Sequence, residues 1–377
     1  MKRLNNLYND MCDLNNIIKM TDKVCSRVRN KRLVDRFEVY KAEHILNIKN
    51  RLESRNVVFD KYNIFMITDP KCRVIMSLNI EDKIINHLVS EYILVKTFET
   101  KYTDSMIATR KNKGTSYGIK LLKKYLNEIK KEYSNFYILK IDIKKYFYSI
   151  DHNILKSIIR KNIKDKDSIK ILDNIIDSTN YEYVNKQINE LKEKRIKHLK
   201  DEVLIKETIN IPLYSCGKGV SIGNQTSQNF GLIYLYELNH YIKEQLHIKY
   251  LINYMDDFII MHEDKKYLEY CLYEIKKKLF EYKLEINSNK TKIDSIKNGI
   301  DFLGYRFYVN NNKIVMKLRN RIRSNFKNKV NKLKILMKEN YITFKEFNMK
   351  LSSYKGLLKY RDCKSLYYKC VNITTTR

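Results

Sequence analysis

A chain of 377 residues is long enough for a sizeable core and two or three subdomains, and its 74 Lys and Arg against 43 Asp and Glu give a net charge of +31. An AT-rich genome accounts for much Lys, Asn, Ile and Tyr but not for the charge, since Asp and Glu codons are comparably AT-rich; the excess points to a polyanionic partner, most simply nucleic acid. Seven scattered cysteines without a CxxC argue against a zinc site and for reduced thiols in a cytoplasm, and neither a signal peptide, a membrane-spanning run nor a clean amphipathic face for an anionic membrane is expected.

In chain order, residues 1 to about 60 read as a helical extension, with Phe37, Tyr40, Ile45, Ile48 and Leu52 at helical spacing. Tyr62 to Thr68 reads as a strand halted at Asp69-Pro70, with Lys71 and Arg73 directly after. Residues 78–97 return to helix. Arg110 to Thr115 is a basic loop ended by Gly114, opening onto a helix with Ile119, Leu122 and Tyr125. Tyr137 to Ile143 is a buried-type strand that carries Asp142 near its end. Residues 152–177 read as helix, 185–207 as a charged, mostly helical insertion, and 219–228 as a Gly-, Ser- and Asn-rich loop before a helix with Phe230, Ile233, Tyr234, Leu238 and Tyr241.

Leu251 to Ile260 holds two apolar, β-prone runs around Tyr254-Met255-Asp256-Asp257, the pattern of a tight hairpin with acids at its tip. Adjacent carboxylates repel, and a buried hairpin built for stability alone would avoid them. A pair of Mg²⁺ ions relieves the repulsion, because hard cations take carboxylate oxygens. Two metals about 4 Å apart also suit in-line phosphoryl displacement. An ordinary polar turn is the competing reading of any Asp-Asp pair taken alone. A helix from about 264 to 281 comes next, then a short strand Leu284-Glu285-Ile286, Lys290-Thr291-Lys292, and a hairpin holding Phe302-Leu303-Gly304-Tyr305 that turns at Asn310-Asn311-Asn312. The tail reads as helical, with Leu318, Ile322, Phe326, Val330, Leu333 and Met337 on one face.

Asp142, over a hundred residues before the hairpin, gives the acids a partner. The order Asp142 with Phe147, Gly219 to Gln228, Tyr254-Met255-Asp256-Asp257, Asn289-Lys290-Thr291, Phe302-Leu303-Gly304-Tyr305 resembles the reverse transcriptase family, motif after motif, over about residues 60 to 310. The resemblance implies an α/β (α+β) right-hand polymerase with a small antiparallel palm sheet. It divides the chain into an extension (1–60), fingers and palm (61–310) and a helical thumb (311–377), with no room there for an RNase H, endonuclease or protease region.

It further implies that Asp142, Asp256 and Asp257 are catalytic acids holding two Mg²⁺ ions, with Ile143 beside them in the metal site. Lys290 is then a general acid near the leaving pyrophosphate, and Phe147 a steric gate that favours deoxynucleotides. Lys71, Arg73, Arg110, Ile222, Gly223 and Gln228 join Phe147 around the incoming dNTP, and Phe302, Leu303, Gly304 and Tyr305 form the primer grip. Against these stand blander readings: a core aromatic for Phe147, basic surface for Lys71, Arg73, Arg110 and Lys290.

Retroviral and group II intron enzymes carry Pro-Gln-Gly, three residues and Ser-Pro. This chain has Ile222-Gly223-Asn224-Gln225-Thr226-Ser227-Gln228, which is similar to reverse transcriptases of diversity-generating retroelements, as are Arg110 to Thr115 and Ser353 to Lys359. That similarity implies error-prone copying of an RNA template at adenines from a nucleic-acid primer, with a small basic accessory protein as partner and no membrane. A phage-defence reverse transcriptase and a non-catalytic RNA-binding protein on the polymerase fold are the alternatives; three intact acids speak against the last.

Overall fold

The computed structural model describes residues 3–68, 71–310 and 313–371; the expected stop at Asp69-Pro70 and the turn residues Asn311 and Asn312 lie outside the described residues. The N-terminal extension is helical, as expected, but in pieces: Asn9–Cys12, Leu14–Cys25, Lys31–Val39 and Lys41–Glu53. The apolar stripe from Phe37 to Leu52 is interrupted at Tyr40, which is non-helical and exposed.

Strands β1 (Asn63–Ile67) and β2 (Arg73–Ser77) form an antiparallel hairpin. Helix Ile80–Leu88 then continues through a π-helical stretch, Val89–Val95, to Phe98. Gly114, at φ +103°, turns the basic loop into helix Thr115–Glu132. The single helix expected over 152–177 is two, His152–Asn162 and Lys166–Asp177. Asp165 stands between them and accepts from the backbone N–H groups of Asp167 and Ser168, satisfying donors that a new helix leaves open. The same carboxylate takes the N–H groups of Leu7 and Tyr8, so it also anchors the extension.

The charged insertion forms helices Glu182–Lys197 and Glu202–Ile209. The loop from Gly219 ends earlier than expected, because helix Gln225–His240 already contains Gln225 to Gln228. Around the acidic hairpin, β3 (Tyr137–Asp142), β4 (Tyr250–Tyr254), β5 (Asp257–His262) and β6 (Lys292–Ser295) make one sheet in the order β4-β5-β3-β6, all antiparallel. The strand expected at Leu284 to Ile286 is reduced to one bridge, Ile143 to Ile286. A second sheet is built from β7 (Ile300–Phe302), β8 (Tyr305–Asn310) and β9 (Lys313–Leu318). The tail therefore opens on a strand before its three helices, Asn320–Lys338, Phe344–Leu358 and Arg361–Val371.

Period-two alternation splits the first sheet between two cores. Leu139, Ile141, Leu251, Phe258 and Ile260 face the larger core, shared with the N-terminal helices and helix Gln225–His240. Ile138, Ile252, Ile259 and Met261 face the smaller one, with helix Thr115–Glu132, the second sheet, and Phe326, Val330 and Leu333 of the tail. Lys140, Asp142 and Asp257 lie on this second face by the same alternation. Among the described residues no helix is long and apolar enough to cross a membrane.

Candidate active site

The acids are positioned by backbone pairing. The register of β3 on β5 sets Asp142 opposite Asp257, and the Ile143 N–H donates to the Asp256 carbonyl at 3.2 Å. Asp256 lies in the two-residue turn between β4 and β5. The first turn residue, Met255, has φ +58°, a conformation suited to tight hairpins but uncommon outside glycine. Buried Asn253 holds that turn: its Nδ2 donates to the Met255 carbonyl at 2.7 Å, while its backbone pairs with Ser105 and Ile107 and covers the free edge of β4. The hairpin tip is thus fixed from outside as well as within.

Three negative groups in so apolar a setting are costly. Burial, and then the nearby Asp142, push the Asp256 carboxyl up, against Lys290 and Arg73. Burial pushes Asp257 up to about 6, with Lys140 opposing and the other two acids adding to the rise. Lys290 spans both oxygens of Asp142 at 2.8 and 2.9 Å. Lys140 donates to Asp257 Oδ2 at 3.0 Å. The other Asp257 oxygen, Oδ1, is buried with no hydrogen-bond partner.

Among the described residues no three or more His, Cys, Asp or Glu side chains are gathered closely enough to cage a metal ion. The donors nevertheless fit a hard divalent cation: they are carboxylate oxygens, they repel one another, and one of them is buried and unsatisfied. Ile143 has only its backbone to offer, since its side chain is 1% exposed.

The cations expected around a triphosphate divide. Partial burial, then Lys290, Arg73 and Arg319, depress the Lys71 ammonium, with Asp142 opposing; Arg73 acts in turn on Asp256. Lys71, Arg73 and Lys290 therefore share one electrostatic environment with the acids. Arg110 does not join them, contrary to its expected dNTP-binding role. Its Nε binds Glu99 at 2.9 Å, its Nη1 donates to the carbonyls of Thr103 and Met106, and its guanidinium lies over the Tyr102 ring. With 8% of its side chain exposed, it closes a loop and has no fork left for phosphate.

Phe147 is half-buried in a cluster with Met255, the residue at the hairpin tip. A left-handed residue, Lys145 (φ +49°), precedes the helical turn that carries it, and Gly231 leaves room for its ring. Gly223 (φ +119°) lies flat on β2: an added Cβ would come within 2.8 Å of the Ile75 side chain. The Ile222 carbonyl accepts the Met76 N–H at 2.8 Å, so the loop is an extension of the β1–β2 hairpin that carries Arg73. Ser227 donates its hydroxyl to the Ser221 carbonyl, an internal brace, and Gln228 is half-buried in the first helical turn.

Of the expected primer grip, Phe302 and Tyr305 are 1% and 2% exposed and serve the core, Tyr305 donating to the Leu357 carbonyl. Leu303 (φ +46°) and Gly304 (φ +89°) form the turn, and the Gly304 carbonyl accepts the Arg319 N–H at the start of the tail helix. A groove of about 510 Å³ beside this turn is lined by Arg306, Lys317, Arg319, Arg321, Arg323 and Lys369. Sequence reasoning misses Lys140 as a site residue; the one signal for it is that it sits two positions before Asp142, on the same strand face.

The model of the reverse transcriptase (RNA-dependent DNA polymerase) family matches residues 67–307. The chain belongs to the reverse transcriptase family. Its mixed helix-and-sheet architecture is that of a right-hand polymerase, and members of this family use divalent metal ions. A solved structure of apo telomerase from Candida tropicalis, truncated from its C-terminal domain, is similar at 16% identity and a TM-score of 0.47 over 69% of this chain. This chain spans 55% of that telomerase chain. No curated protein matches the sequence.

Proposed function

We propose that this reverse transcriptase copies RNA into DNA by two-metal phosphoryl transfer, with Mg²⁺ held by Asp142, Asp256 and Asp257 and the Ile143 backbone. The observation that carries this reading is the strand register that sets Asp142 opposite Asp257, with Asp256 beside them in a strained, externally braced turn. Bound there, the two ions supply activation of the primer 3′-hydroxyl and stabilisation of the leaving pyrophosphate. Lys71 and Arg73 hold the triphosphate, and Lys290 donates a proton to the leaving pyrophosphate. Phe147 presents a ring where a ribose 2′-hydroxyl would clash. Ile222, Gly223 and Gln228 shape the pocket of the nascent base pair, and Leu303 and Gly304 offer backbone to the primer.

The finer reading is a cytoplasmic enzyme of a diversity-generating retroelement, error-prone at template adenines and working with a small basic accessory protein. It is supported by Ile222 before Gly223 and by Gln228 after Ser227; the net charge of +31 supports the nucleic-acid template alone. The test is primer extension on primed RNA with Mg²⁺ and each dNTP set, then sequencing of the cDNA. Extension with dNTPs and not with NTPs, with substitutions concentrated opposite adenine, is the expected result. No extension with any divalent ion, under conditions where a control enzyme extends fully, overturns the polymerase reading. Accurate copying of the natural template with its partner present removes the retroelement assignment alone.

A further inference from the structure

Lys140 stands where β3 passes beneath the catalytic acids. On an antiparallel sheet its diagonal neighbour on the same face is Asp257, since Asp142 pairs with Asp257 and Lys140 with Ile259. Its ammonium, with the side chain 19% exposed, makes two bonds: 3.0 Å to Asp257 Oδ2 and 2.7 Å to the backbone carbonyl of Asp301. Asp301 precedes Phe302, where the turn Leu303-Gly304 begins, and its carboxylate holds Arg306 and Arg319. One cation therefore ties a catalytic acid to the turn that leads into the tail helices.

We infer that Lys140 is a positioning residue: it takes Asp257 Oδ2 out of play, leaves Oδ1 as the oxygen available to a metal, and keeps that carboxylate in register with the Phe302–Tyr305 turn. Two observations converge on this. Asp257 is the acid whose two oxygens are treated differently, Oδ2 bonded and Oδ1 orphaned in the interior. And the second bond goes to backbone, which side-chain motion cannot withdraw. Lys290, by contrast, spans both oxygens of Asp142, is half exposed, and can swing away.

The inference rests on the metal-dependent polymerase reading, and wild-type extension is the control that separates the two. If wild type does not extend, that reading fails; if it does extend, the variants test Lys140 itself. Lys140→Met and Lys140→Arg are compared for kcat, dNTP KM, primer–template Kd, melting temperature and Mn²⁺ binding monitored by electron paramagnetic resonance. For Lys140→Met we expect kcat to fall at least tenfold, with KM and Kd within about twofold and melting temperature within a few degrees. Mn²⁺ should bind at least as tightly, because a cation has left the site, yet with an altered spectrum. Lys140→Arg should recover part of the lost kcat, since it can still bridge the two oxygens. Unchanged kcat and spectrum in Lys140→Met overturn the inference, as does a kcat loss that accompanies a large fall in melting temperature and is not relieved by arginine. If Lys140→Met does not fold, Lys140→Gln decides, because it is uncharged and too short to span both oxygens: a Mn²⁺ spectrum and kcat both identical to wild type overturn the inference.

Discussion

In the palm sheet, Leu251, Ile252, Phe258, Ile259 and Ile260 are each exposed by 1% or less, and apolar side chains cover both faces. In the second sheet, burial alternates: Tyr305 and Phe307 point in while Arg306 is exposed, and Met316 and Leu318 point in around exposed Lys317. Both sheets are antiparallel and of similar strand length, so backbone pairing does not distinguish them. What differs is the charge each must carry. The palm sheet holds like charges together against their repulsion, which demands a stiff, doubly covered support. The second sheet carries exposed cations, which demands only one buried face and leaves the other wet; facing a polyanion is the role we propose for it.

The strongest way to break this contrast is to remove the charges from the stiff sheet. Asp256→Ala with Asp257→Ala deletes two of the proposed metal donors and leaves the apolar support intact. Metal stabilisation of transition-state charge is worth several kcal/mol, so extension should fall by about a thousandfold or more. RNA binding should persist or tighten, because two groups that repel phosphate are gone. Full extension by the double variant, measured in the same primer assay, would leave the palm acids without a catalytic role.

The converse experiment strips the cations from the wet sheet and its helix. Phe326, Val330 and Leu333 turn inward, and Lys317, Arg323, Lys327 and Lys338 are exposed. Neutralising these four should weaken binding to an RNA–DNA duplex by roughly ten- to a thousandfold near physiological salt, and each lost phosphate contact should flatten the log–log salt slope by about 0.9. Filter binding between roughly 50 and 300 mM salt is the measurement. An unchanged slope would mean that this face does not meet the duplex.

Stability sharpens the same comparison, because the palm acids are held at a cost. Asp257 titrates at about 6 in the fold, above the ordinary aspartate near 3.9. The folded chain thus holds that proton more tightly than the unfolded chain. Its stabilising contribution is complete below about pH 4 and disappears as pH rises through 6. In metal-free protein at pH 7, Asp257→Asn should therefore be more stable than wild type by about 1–3 kcal/mol, discounted for partial exposure. The gain should shrink to nothing on lowering the pH to 4. Urea unfolding at both pH values tests it, and an asparagine variant less stable than wild type at pH 7 would show that the Lys140 bond outweighs burial.

The palm is the most legible region because its signals are local. A buried-type strand ending in Asp142 and a hairpin with Asp256-Asp257 at its tip are both written in a few consecutive residues, and their pairing is dictated by the apolar pattern. Asp165 also leaves a readable signal, an N-cap three residues before Ser168, which the continuous apolar pattern over 152–177 masks. Arg110 cannot be placed from sequence, because its fate depends on Glu99 and two carbonyls that only the folded loop brings to it. Lys140 is the opposite case: its strand face is predictable, but the Asp301 carbonyl that gives it a role lies 161 residues away. Strand β9 is legible as the return arm of the hairpin expected to turn at Asn310-Asn311-Asn312, but its end is not, because Leu318 also fits the helical stripe of Ile322 and Phe326.

The smallest expected effect lies where the β1–β2 hairpin meets the palm. Ile222 takes the place that a glutamine holds in the common Pro-Gln-Gly motif, and its backbone is fixed to Met76 whatever its side chain. Ile222→Gln should therefore change chemistry without moving the loop. An isoleucine offers bulk to a nascent base pair but no hydrogen bond, whereas a glutamine offers one worth roughly 0.5–1.5 kcal/mol net. Discrimination is a difference of transition-state energies, and about 1.4 kcal/mol is tenfold, so accuracy should improve by a few-fold up to about tenfold. The measurement is sequencing of cDNA from wild type and variant on one template. Adenine positions should benefit most if the retroelement assignment is right, although a single polar contact gives no reason why adenine alone should suffer. An equal gain at all four template bases would separate the two ideas: it would keep Ile222 as a fidelity residue and move the cause of adenine errors elsewhere in the pocket. No gain anywhere would mean that the residue before Gly223 does not touch the nascent pair.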